Sequence, residues 1–279
     1  DVYKRQMMAS SATLSWEPVD WVDPDGGIIR LWPFLPNVVY STALRRTEGK
    51  WDGVAFLLPD DEAEIWDSQS VEERSSPGIN RDAVISSGGT LARMMLGMSA
   101  IESIQTCKFP DPEPRRILQA AMSPSGKGDR PFFFIEPEDE DWTEWVEACA
   151  DEMVRLKHLT RSIFSGRIWR KMLRDSIRKT GPPHSERDDE KAGGFAQASA
   201  LAAAWWARSE SVLTEDLQRQ RDLRLASRLR GALGLLSGGQ IDDEDTPVLL
   251  VPVMQAWLPS ILAALKQTPL SENLGGEEE

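Results

Sequence analysis

The sequence predicts an α/β protein: a mixed or parallel β-sheet drawn from the N- and C-terminal segments, with a largely helical middle over about 140–210. Three observations carry this. Short apolar runs recur at Ile28–Leu31, Gly53–Leu58, Phe132–Ile135 and Val248–Val251. They are too short for helices and too continuous for strands with one wet face. Helical patterns alternate with the first two runs, as in a sheet covered by helices. The long stretch between the last two runs is dominated by helical periodicity.

Taken in order, Ala9–Gly27 reads as a loop, punctuated by Pro18, Pro24 and Gly26-Gly27 and pinned to the body by Trp16 and Trp21. Ile28–Leu31 is a strand, and Trp32-Pro33-Phe34-Leu35-Pro36 a rigid apolar turn. Asn37 is expected to cap a helix through about Arg46. Gly53–Leu58 is the second strand. Pro59-Asp60-Asp61-Glu62 opens a helix with acidic residues at its positive end. Gln69–Asn80 reads as a polar loop around Pro77-Gly78. A helix over about Leu91–Thr106 turns Met94, Met95, Met98, Ile101 and Ile104 inward. Lys108–Pro114 is a Pro-rich break, Arg115–Met122 a short helix, Ser123–Pro131 a turn and Phe132–Ile135 a buried strand.

Glu136–Glu152 is acidic, yet Trp142, Trp145, Val146, Cys149 and Met153 recur at helical spacing. Arg155–Lys179 carries nine Lys/Arg against one acid, Asp175, and is expected to lie against that acidic helix. Thr180–Gly194 reads as a linker, and Phe195–Arg208 and Thr214–Leu236 as helices. In Thr246–Gln267, the strand Val248–Val251 leads through the turn Pro252-Val253-Met254-Gln255 into a helix with Pro259 in its first turn.

The 279 residues suit one domain over 9–270. Asp1–Gln6, DVYKRQ, resembles a sequencing-adapter read-through, so residues 1–8 are set aside, and 271–279 reads as a disordered acidic tail. The net charge of −13 disfavours nucleic acid or an anionic membrane as a whole-surface partner. Cys107 and Cys149 form neither a disulfide framework nor a metal motif and suit a reducing, cytoplasmic setting. No apolar run approaches the ~18–20 residues of a membrane span. No cofactor is expected, and the partner is left as an unidentified protein or small molecule.

Few residues have the pattern of a catalytic site. Ser86-Ser87-Gly88-Gly89-Thr90, placed before a helix, could cradle an anion or hold a nucleophilic serine. It has neither a GxSxG elbow nor a P-loop lysine, and an N-cap is the simpler role. His158 and His184 are the only histidines; neither has a partner at metal spacing. The acidic runs Asp60-Asp61-Glu62 and Asp242-Asp243-Glu244-Asp245 lack the spacing of a calcium loop.

Two stretches resemble the TraB/Tiki superfamily. Glu215–Leu236 is similar to its late helix, with Arg221 where the family keeps an arginine, and VLLVPVMQAWLPSIL is similar to its terminal strand, GxxH turn and helix. At the front, IIRLWPFLPNVVYSTALRR and WDGVAFLLPDDEAEIW are similar to its opening strand, helix and second strand. The resemblance implies a metal-hydrolase-like site built from two GxxH motifs, an acidic residue and that arginine. Here the GxxH positions hold Trp32 and Leu35 in the first motif, and Pro252 and Gln255 in the second. The acidic position holds Leu57. Apolar groups and one amide cannot replace imidazole and carboxylate ligands. The expectation is a non-catalytic binding or interaction protein with no catalytic residue and no metal. The alternatives are a metal-dependent hydrolase with ligands moved to Asp60, Asp61, Glu62 or Asp243, and a serine hydrolase or phosphate site at Ser86–Thr90.

Overall fold

A computed structural model describes residues 14–122, 130–155, 165–238 and 246–274. Five strands form one sheet: β1 (Val19–Val22), β2 (Ile28–Phe34), β3 (Gly53–Phe56), β4 (Phe132–Phe134) and β5 (Val248–Met254). Their order is β1-β2-β5-β3-β4, antiparallel between β1 and β2 and parallel elsewhere. The C-terminal strand therefore lies between two N-terminal ones, in the mixed α/β sheet that the sequence predicts. The helices are α1 (Thr42–Arg45), α2 (Glu62–Ser75), α3 (Ile79–Ser87), α4 (Gly89–Ser99) and α5 (Pro112–Met122), then α6 (Glu140–Val154), α7 (Ser165–Ile177), α8 (Asp189–Glu210), α9 (Glu215–Gly238) and α10 (Leu258–Leu265).

The continuous apolar runs arise because both sheet faces are covered. Ile29, Leu31, Leu249, Val251 and Val253 pack with α9 and α10. Trp32, Phe34, Val54, Phe56 and Leu250 meet α4, α5 and α8 on the other face. Among the described residues no helix is long and apolar enough to cross a membrane.

The structure corrects several expectations. Val19–Val22, read as loop, is a strand. The reversal after it uses positive φ at Gly26 and Gly27 (111° and 94°). β2 and β5 both run three residues beyond the predicted strands, through Pro33 and Pro252, in full register from Ile28↔Val248 to Phe34↔Met254. Proline is tolerated there for a specific reason. The Val248 N–H and C=O both face Asp52, at the mouth of β3. Alternation along the strand aims the Pro252 nitrogen the same way. The β3–β5 ladder pairs only Gly53↔Leu249 and Val54↔Leu250, so no hydrogen bond is missing at Pro252.

Asn37 caps no helix. It takes a left-handed φ of 59° and donates through Nδ2 to the Lys108 carbonyl at 2.8 Å, while Ser41 caps the four-residue α1. β4 is an edge strand, and Phe132 is exposed. α2 continues through Ser75 into the predicted loop, α4 stops at Ser99, and Asp188 caps α8 well inside the predicted linker. The basic α7 lies along α8. The acidic α6 engages α9 instead, through Trp145 Nε1 donating to the Leu217 carbonyl and Asp139 pairing with Arg224. The predicted turn at 123–129, His158, Asp242–Asp245 and the chain ends at 1–13 and 275–279 lie outside the described residues.

Candidate functional site

Beyond Val54 and Leu250 the third and fifth strands part, and a cleft of about 290 Å³ lies at the carboxyl end of the sheet. This is where open α/β sheets place ligand sites. Its walls include Phe56 and Leu57 from the end of β3, Pro252 and Val253 from β5, and the indoles of Trp66 and Trp205. Trp257, at the turn into α10, completes the wall. Phe56 and Trp66 meet edge to face with ring centroids 6.1 Å apart, which fixes that side.

Among the described residues only two that line the cleft are polar, and both are carboxylic acids: Glu62 in the first turn of α2 and Asp111 just before α5. The Asp111 Oδ1 is inaccessible to solvent and has no hydrogen-bond partner among the described residues. Burial pushes the Asp111 carboxyl up to about 7; backbone N–H groups of Asn37 and Glu113 oppose this, and the charges of Glu113 and Glu62 add to it. Burial also raises Glu62, against a hydrogen bond from Trp66. The cations of α5 are committed elsewhere: Arg116 pairs with Glu113 (2.7 Å) and Glu48 (3.1 Å), and Arg115 lies 3.6 Å from Asp67. Among the described residues no lysine, arginine or histidine lines the cleft.

Four of the six positions singled out in the sequence gather along this edge, in two adjoining settings. Leu57 and Pro252 share the cleft. Leu35 and Gln255 share a narrow crevice beside it, and Phe34, Pro36 and Met254 line both. Gln255 is buried, and both its side-chain oxygen and its side-chain nitrogen are hydrogen-bonded. Its N–H donates to the Phe34 carbonyl at 2.9 Å, its Nε2 donates to the Ser15 carbonyl at 2.8 Å, and its Oε1 accepts from the Ser199 hydroxyl. Trp32 is fully buried in the core, its Nε1 donating to Glu113 Oε1 at 3.2 Å.

Arg221 lies behind the wall. Its guanidinium grips Glu210 bidentately at 2.8 and 3.0 Å, pairs with Asp222 at 2.9 Å, and lies 4.8 Å from the Trp257 ring centroid and 5.3 Å from that of Trp206. Burial alone would depress the Arg221 pKa; the carboxylates of Glu210 and Asp222 reverse this and hold it above its ordinary value.

The Ser86–Thr90 segment is brought to a different place. It joins α3 to α4 at a surface corner, with positive φ at Gly88 and Gly89 (76° and 78°). Ser86 and Ser87 are exposed there, Gly88 and Gly89 with them, and Thr90 is half-buried. The Ser87 hydroxyl is turned onto the Val84 carbonyl. The residues before this turn form the helix α3 (Ile79–Ser87), and none of Ser86–Thr90 lines the cleft.

The carboxylates named as relocated ligands separate too: Asp60 and Asp61 are exposed while Glu62 lines the cleft. Asp243 lies outside the described residues. Among the described residues no three His, Cys, Asp or Glu side chains are grouped to hold a metal ion. Sequence reasoning missed Asp111 altogether. Its one signal was an acid between prolines, Pro110-Asp111-Pro112, immediately before a helix. No family model, curated protein or solved structure matches the chain.

Proposed function

We propose that the chain is a non-catalytic binding protein of TraB/Tiki-like pattern, with a small-molecule cleft where those proteins build a metal centre. The observation that supports this most directly is the meeting of Leu57 and Pro252 in one aromatic-walled cleft, with Leu35 and Gln255 in the adjoining crevice. Four positions distant in sequence share one edge of the sheet, as a common site requires. Their side chains are apolar or already satisfied, so they shape a cavity and offer no ligand to a metal.

Calorimetric titration of the full chain with manganese, cobalt and zinc tests the non-metal half of this reading. The expected result is no saturable binding. Tight one-to-one uptake of any of the three would overturn it.

A further inference from the structure

We propose that the cleft takes an apolar organic cation: an amine whose ammonium group meets Asp111 and whose hydrocarbon body lies among Trp66, Trp205 and Trp257. The proposal rests on the reading of the cleft as a small-molecule site.

Three observations lead to it. Asp111 lines the cleft, and its Oδ1 is sequestered from water with no hydrogen-bond partner among the described residues, the condition that a ligand donor would relieve. The only other polar lining residue among those described, Glu62, is also acidic, and the nearby arginines are held by Glu113, Glu48, Glu210 and Asp222. Once Asp111 has lost its proton, above about pH 7, the cleft presents negative charge, and among the described residues no counter-ion lines it. The remaining surface is apolar and rich in indole, and an indole face attracts a cation while its area takes up hydrocarbon. A carboxylate or phosphate ligand would meet like charge on the same walls. The volume lies near the lower bound of small-ligand pockets, roughly 300 Å³, which suits a bicyclic body.

The test compares three probes of one shape on the full chain by calorimetry at pH 8: 2-naphthylmethylamine, 2-naphthylmethanol and 2-naphthoate. The amine is expected to bind at least about tenfold tighter than the alcohol, with the naphthoate weakest. Asp111→Asn is expected to bring the amine to the level of the alcohol. Equal binding of amine and alcohol to the wild type, or an amine preference that survives Asp111→Asn, would overturn the cation and leave the cleft. Failure of all three probes to bind the wild type would remove the cleft itself. The wild-type comparison decides the question even if the variant does not fold.

Discussion

Asp222 accepts a hydrogen bond from the Trp257 indole at 2.9 Å, while Arg221, the residue before it, stacks on the same ring. One wall of the cleft is thus held from behind by an ionic cluster of α8 and α9. Arg221→Ala would leave Glu210 and Asp222 without their counter-ion in a buried setting. The expected loss is about 3–5 kcal/mol of unfolding free energy, read from urea denaturation. A loss under about 1 kcal/mol would mean that the cluster is solvated and does not brace Trp257.

A second buried pair fixes the other end of α9. Arg230 donates to both carboxylate oxygens of Asp23, at 2.8 and 2.9 Å, in the loop joining β1 to β2, and also pairs with Asp25 at 2.6 Å. Both Arg230 and Asp23 are nearly inaccessible, with 6% and 4% of their surface exposed. Asp23→Ala should destabilise the chain by about 3 kcal/mol or more. The double variant Asp23→Ala/Arg230→Met should recover part of that, because no isolated charge remains. Additive losses in that cycle would show that the two side chains do not interact.

Asp111 makes stability depend on pH in a direction opposite to that of most carboxylates. Its carboxyl keeps its proton to about pH 7 in the folded chain, against an ordinary value of 3.8. Between those values the folded state binds more protons than the unfolded one, so this contribution falls as pH rises and is gone above about 7. Relative to Asp111→Asn, the wild type should lose on the order of 2–3 kcal/mol between pH 5 and pH 8. The groups that face it, Glu113 and Glu62, are present in both proteins, so the difference isolates Asp111. Parallel stability curves for the two proteins would show that the carboxyl titrates normally.

Gly231 lies where the C-terminal segment crosses α9, and a Cβ there would run into the Glu272 carbonyl. Glu272 is otherwise well held, pairing with Arg224 at 2.6 Å and Arg228 at 2.9 Å, within the stretch expected to be an acidic tail. Gly231→Ala should displace that segment, cost about 1–3 kcal/mol and open it to limited proteolysis. Unchanged cleavage kinetics would contradict the contact.

The class of the fold was legible because both sheet faces are covered, which leaves apolar runs such as Gly53–Phe56 and Val248–Val251 with no polar alternation. Helices α9 and α10 were legible from their spacing and from Pro259. β1 was not, because Pro18 and Pro24 bracket only five residues, of which only Val19 and Trp21 pack on the core. The ends of β2 and β5 were misplaced because a proline reads as a strand terminator unless its neighbour on one side is known to have turned away. The site was half legible. Leu57, Pro252, Leu35 and Gln255 do come to one edge, but Asp111 acquires its character only from burial beside Glu113 and Glu62, which no local pattern records.

The proline in β5 has one more consequence. A gap between parallel strands held open by side chains alone could zip shut whenever those side chains moved. Here the nitrogen aimed at the gap carries no hydrogen, so one ladder donor is missing from the backbone at the point where the strands part. The opening is then favoured by the backbone as well as by the side chains that line it. A molecule entering it would find its shape prepared and would need to order little of the host, so differences among guests would show in how long they stay more than in how fast they enter.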